Sequence, residues 1–96
     1  RPDRRRLLFD QMVNDIESLV AAFAAAAAEN DADGVSRARH SLTGIASAFG
    51  ANAMLAILNS SREPGSDSAA AAADLATTAR ATIAAGRQLL RQGADT

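Results

Sequence analysis

Cysteine is absent from the chain, which excludes disulfides, thiol catalysis and Cys-ligated zinc and fits a reducing compartment. Tryptophan and tyrosine are absent too, so three phenylalanines are the only aromatics. Strand-forming Val, Ile and Thr are sparse, which argues against an all-β fold. Neither sign of charge dominates: 10 basic residues, all arginine, face 11 acidic ones, for a net charge of −1. Nothing draws the chain as a whole to nucleic acid. No long hydrophobic run occurs. Residues 19–28 are apolar but end at Glu29, and a membrane span needs about twenty such residues. Arg4-Arg5-Arg6 before Leu7-Leu8-Phe9 has the outline of a signal peptide. Asp10, Asn14, Asp15 and Glu17 interrupt the apolar region such a peptide requires.

What is present is enough apolar material for one core: 48% of 96 residues, with alanine alone making up about a quarter of the chain. That length suits a single domain over 1–96 and is short for most complete enzymes. Alanine and arginine both favour helix. The chain opens on Arg1-Pro2 rather than Met, as expected of a module excised from a longer protein.

Four segments show helical periodicity. Between Asp3 and Glu29 the large residues Phe9, Met12, Val13, Ile16, Leu19, Val20 and Phe23 recur at steps of three and four. Asp3 is placed to cap that helix. The turn Asn30-Asp31-Ala32-Asp33-Gly34 follows. A second helix is expected from about Gly34 to Phe49, with Val35, Ala38, Leu42, Ile45 and Phe49 as its apolar stripe and Gly50 as a left-handed cap. A third is expected from about Ala51 to Ser61, carrying Met54, Leu55, Ile57 and Leu58. Pro64-Gly65 breaks the chain. Asp67 or Ser68 can cap a fourth helix reaching about Arg91, whose inner side is Leu75, Ala79, Ile83, Gly86 and Leu90; Gly93 onward should fray. Short turns between four helices predict an all-α, antiparallel up-down-up-down four-helix bundle. Its buried residues should include Phe9, Ile16, Leu19, Phe23, Leu42, Ile45, Phe49, Leu58, Leu75, Ile83 and Leu90.

The one histidine is the most informative residue. At about 100° per residue from Val35, the apolar stripe of the second helix centres near about 310° and His40 falls near about 140°. The imidazole therefore points away from the core. A lone histidine is often an ordinary surface residue, but its neighbours here are unusual. Ser36, Thr43, Gly44 and Ser47 share its face, and Arg37 lies one turn before it. A solvated face normally carries long charged side chains. Gly44 costs roughly 1 kcal/mol against alanine inside a helix. Clearance for a partner approaching His40 accounts for it. The competing account is close packing of another helix of the same chain, which His40's outward direction opposes.

Several chemistries are poorly served. One exposed histidine without a carboxylate four residues away is a weak metal site. Nothing supports a Ser-His-Asp triad, and no glycine-rich phosphate loop is present. An accessible imidazole nucleophile remains, with an unperturbed pKa of about 6.5.

Ala38-Arg39-His40-Ser41-Leu42-Thr43-Gly44, followed by Phe49-Gly50-Ala51 and Met54, resembles the histidine phosphotransfer (HPt) domain of bacterial multistep phosphorelays. The family pattern is Ala-x-His-x-Leu-Lys-Gly, then Gly-Ala, then Leu. The acidic turn Asp31-Ala32-Asp33 also fits, and the resemblance covers nearly the whole chain. It implies a bundle whose exposed histidine takes a phosphoryl group from an aspartyl phosphate on a receiver (response regulator) domain and passes it to a second receiver. Carried over, His40 is the phospho-acceptor, Gly44 the clearance glycine and Leu42 the core residue that sets the helix rotation. The docking face is Ser36, Arg37, Thr43, Gly44 and Ser47. The Mg²⁺ belongs to the receiver, so no cofactor is implied here. The module would be a cytoplasmic, monomeric phosphocarrier without its own ATP site, not an enzyme, and without nucleic-acid or direct membrane contact. It would work alone or as part of a hybrid sensor kinase.

Two positions depart from the pattern. Thr43 stands where the family carries lysine, removing a cation beside the phosphoryl group. Arg37 is the nearest replacement and Arg39 a weaker one. Ser61-Arg62 stands where the third helix usually ends in Leu-Glu, which leaves that helix's length open. The dimerisation helices of histidine kinases are a poorer match: they follow the histidine with an acidic residue and soon a proline, where this chain has Ser41 and no nearby proline. A module that docks a receiver or other partner without phosphotransfer is the alternative, and the missing lysine favours it.

Overall fold

The computed structural model describes residues 4–94. They form four helices: α1 (Arg4–Ala28), α2 (Ala32–Ala48), α3 (Asn52–Ser60) and α4 (Ser68–Ala94). No strand occurs among the described residues. α1 packs on α2 and α4, α2 on α3, and α3 on α4, so chain neighbours are also spatial neighbours around a ring. The result is a rod of 48 × 20 × 18 Å.

Local chemistry sets the boundaries. At the end of α1, Asn30 takes the left-handed conformation (φ 57°), which asparagine tolerates better than most residues. Its N–H donates to Ala27 O (3.2 Å) and the Asp31 N–H to Ala26 O (2.8 Å), the paired bonds of a Schellman ending. α2 ends the same way. Gly50 (φ 66°) donates to Ser47 O and Ala51 N–H to Ala46 O. α2 starts earlier than its apolar pattern suggests, because the Asp31 carboxylate accepts from Gly34 N–H at 3.0 Å and caps the helix at Ala32. Asp67 caps α4, accepting from Ala69 and Ala70 N–H at 2.9 and 3.2 Å. α4 extends past Arg91 to Ala94; residues 95–96, the rest of the stretch expected to fray, lie outside the described residues. The expected cap Asp3 lies outside the described residues.

The core is built from Ile16, Phe23, Leu42, Met54, Leu58 and Leu75, all essentially inaccessible. Buried alanines at 26, 38, 46, 51, 71, 72 and 79 fill the space between helices, while most of the other alanines are exposed. Of the expected core, Phe9, Leu19, Ile45 and Leu90 are half-buried rather than buried. Phe49 is a correction: it is 57% exposed. α2 ends at Ala48, and Phe49 is the cap residue (φ −105°, ψ 6°), so its ring leaves the stripe that spacing had assigned to it.

Candidate functional site

α2 positions the candidate site. Four of its residues, Val35, Ala38, Leu42 and Ala46, are buried at steps of three and four. Leu42 is at 0% exposure and anchors the rotation of the helix about its axis. With that face fixed inward, His40 is exposed. Among the described residues it has no hydrogen-bond or ion-pair partner. Ser36, Arg37, Gly44 and Ser47 are exposed on the helix surface, and Thr43 is half-buried. The predicted face is therefore one accessible surface around the imidazole.

Gly44 has no packing duty. A Cβ built at this position meets nothing within 4 Å. Gly34 shows what a glycine required by the fold looks like: there a Cβ would lie 2.5 Å from Asp31 Oδ2 and 2.9 Å from Ala26 Cβ. The intramolecular explanation for Gly44 thus fails, and the helix carries a propensity cost that no contact among the described residues offsets.

The two arginines near His40 separate cleanly. Arg39 is half-buried and turned toward the end of α3. Its Nε–H donates to Ser61 Oγ (2.9 Å) and an Nη2–H to Ser61 O (3.2 Å). Ser61 Oγ–H donates onward to Leu58 O, and Ser66 Oγ–H to Ser61 O. A cation at a helix C-terminus is favoured by the helix dipole and by the free carbonyls there. Arg39 is thereby committed to the end of α3. Arg37 is exposed and has no such partner among the described residues. It borders a groove between α1 and α2 that Glu29, Asp31 and Ser41 also line. Thr43 does not present a free donor, because its hydroxyl donates to the Arg39 carbonyl at 2.7 Å.

The sequence marked Ser61 only as a departure from the family pattern at the end of the third helix, not as a buried partner of Arg39. Position 61 lies 22 residues from Arg39, and a serine before a proline-containing turn carries no periodic signal of burial. It is the one buried polar residue among those described. Together these residues offer an exposed imidazole, an exposed guanidinium one turn away and small side chains on the same face. That set can accept or present an electron-poor group brought by another molecule. Comparisons with protein-family models, with curated proteins and with solved structures find no match to this chain.

Proposed function

We propose that the chain is an HPt-like module, an antiparallel up-down-up-down bundle that relays a phosphoryl group between receiver-domain aspartates through His40. The observation that carries this reading is the pairing of a partnerless, exposed His40 with a Gly44 whose Cβ space is empty. A glycine that costs helix stability and serves no internal contact is accounted for by a surface approaching from outside. The motif around His40 supports the same reading by resemblance.

The step balances without a cofactor of this chain. An unprotonated imidazole nitrogen of His40 attacks the phosphorus of a receiver aspartyl phosphate. The N–P bond forms as the acyl phosphate P–O bond breaks, and the aspartate leaves as carboxylate. The other ring nitrogen gives up its proton to solvent. Such transfers depend mainly on positioning and on charge stabilisation at the phosphoryl oxygens. Arg37 supplies that charge in place of the family's lysine, through a charge-assisted hydrogen bond. Arg39 remains the weaker candidate, because its guanidinium is already bonded to Ser61.

Thr43 favours the second reading, docking without transfer. It brings no cation, and its hydroxyl proton is already engaged. Single-turnover transfer from a phosphorylated receiver separates the two. Under the phosphotransfer reading the parent labels and His40→Gln does not, while Gly44→Gln folds but loses labelling. If the parent never labels with any receiver from its own cell but binds one through this face, it is a docking module.

A further inference from the structure

Charge is unevenly distributed along the chain. Residues 1–11 and 84–96 hold six arginines against three carboxylates, whereas residues 12–83 hold four against eight. The start of α1 and the end of α4 lie together: the Phe9 ring covers Gly86, where a Cβ would strike it. That close approach sets Arg87 and Arg91 of α4 beside Arg6 of α1. The three side chains line one cleft of about 180 Å³, which Phe9, Asp10 and Leu90 complete. Phe9 and Leu90 are half-buried, and the four charged residues are exposed.

The fold does not account for this cluster. Arg6 stands in the first turn of α1, which has no acidic residue, and the helix dipole favours the opposite sign there. Arg87 and Arg91 are four residues apart on α4, the spacing at which like charges on a helix repel. Only Arg91, in the last turn, sits where the dipole suits it. Arg6 and Asp10 have the same spacing on α1, yet among the described residues no hydrogen bond or ion pair joins any of the four. An anion held between α1 and α4 would offset both unfavourable placements. We propose that this cleft binds a small phosphate monoester carrying a neighbouring hydroxyl group. Three guanidinium groups can meet the three terminal oxygens of a phosphate, whereas a carboxylate offers only two. The cleft is smaller than pockets that enclose drug-sized ligands, so it fits the phosphate and a few carbons. Asp10 repels a bare anion but accepts a hydrogen bond from a hydroxyl beside the phosphate. The apolar walls, Phe9 and Leu90, lower the local dielectric and strengthen each charged contact.

The probe is glycerol 3-phosphate, titrated into the protein and followed through the arginine Nε–H signals by proton–nitrogen NMR. Signals of Arg6, Arg87 and Arg91 should shift together and saturate, with a Kd of about 1 mM or tighter, and binding should weaken at high salt. Succinate and sulfate should bind at least about ten-fold more weakly. Arg87→Gln with Arg91→Gln, at exposed positions that leave the core intact, should weaken glycerol 3-phosphate by about ten-fold. Asp10→Asn should narrow its advantage over sulfate, because the like charge is gone. His40→Gln should bind as the parent does, so the result does not depend on phosphotransfer. Vesicles containing phosphatidylinositol 4-phosphate, whose headgroup has the same monoester and hydroxyls, identify the source once the soluble ester binds. Co-sedimentation that the double variant loses supports the site with a lipid headgroup as ligand; no co-sedimentation supports it with a free ester. Shifts that do not saturate, that succinate matches, that fall on Arg37 instead, or that the double variant retains would overturn the proposal. So would vesicle binding without binding of the soluble ester, which is attraction to a charged surface alone.

Discussion

Replacing glycine by alanine at positions 44 and 34 should move stability in opposite directions, although both lie in α2. At Gly44 the added methyl group meets nothing within 4 Å, and the position is interior to the helix. The gain is the ordinary propensity difference, about 1 kcal/mol, arising largely from the lower entropy of the unfolded alanine chain. For a domain of this size that raises the melting temperature by about 4–8 °C. At Gly34 the methyl group would lie 2.5 Å from Asp31 Oδ2 and 2.9 Å from Ala26 Cβ. The carboxylate must leave its bond to the Gly34 N–H, losing a cap of about 1 kcal/mol. α1 must also withdraw from α2, since the Ala26 Cβ cannot rotate away, and overpacking of this kind costs about 1–3 kcal/mol. After the propensity gain, Gly34→Ala should lower stability by about 1–3 kcal/mol. Thermal and urea unfolding followed by circular dichroism at the helical band measure both. A neutral or destabilised Gly44→Ala would refute the claim that the space beside His40 is empty. With it would fall the argument that the glycine serves an outside partner.

Leu42→Ala should cost about 2–5 kcal/mol, as truncation of a fully buried leucine does, whereas Phe49→Ala, at a ring 57% exposed, should cost about 1 kcal/mol or less; urea midpoints rank the two. Arg39→Ala should destabilise by about 1–2 kcal/mol through loss of its bonds to Ser61 and leave the transfer rate nearly unchanged. Arg37→Ala should do the reverse: unchanged urea midpoint and transfer slowed by roughly ten-fold, the effect of about 1.4 kcal/mol in the barrier. Thr43→Lys should maintain or raise the single-turnover rate; a marked fall would mean that the threonine hydroxyl, not a missing cation, matters there.

The helices were legible because their signals are local. Steps of three and four marked the inner faces of all four. Gly50, Asp67 and the Asn30-Asp31 pair carried the chemistry of their own turns. The direction of His40 followed from the same periodicity, since one buried leucine two residues away fixes the rotation of a rigid helix. Phe49 was misread because periodicity was extended one residue past the last helical turn, where the backbone no longer obeys it. The Arg39–Ser61 lock joins two helices across 22 residues and depends on how far α3 extends, which no local pattern fixes.

The central claim is that His40 accepts a phosphoryl group, and the most direct test locates that group. The parent and His40→Gln are incubated with phosphorylated receivers from the same cell, and each product is examined by intact mass and by phosphorus NMR. The account predicts that the parent alone gains the mass of one phosphoryl group, stable in base and lost in acid, with a phosphoramidate signal from the His40 ring. An unmodified parent, or one whose label survives acid or persists in His40→Gln, would contradict it.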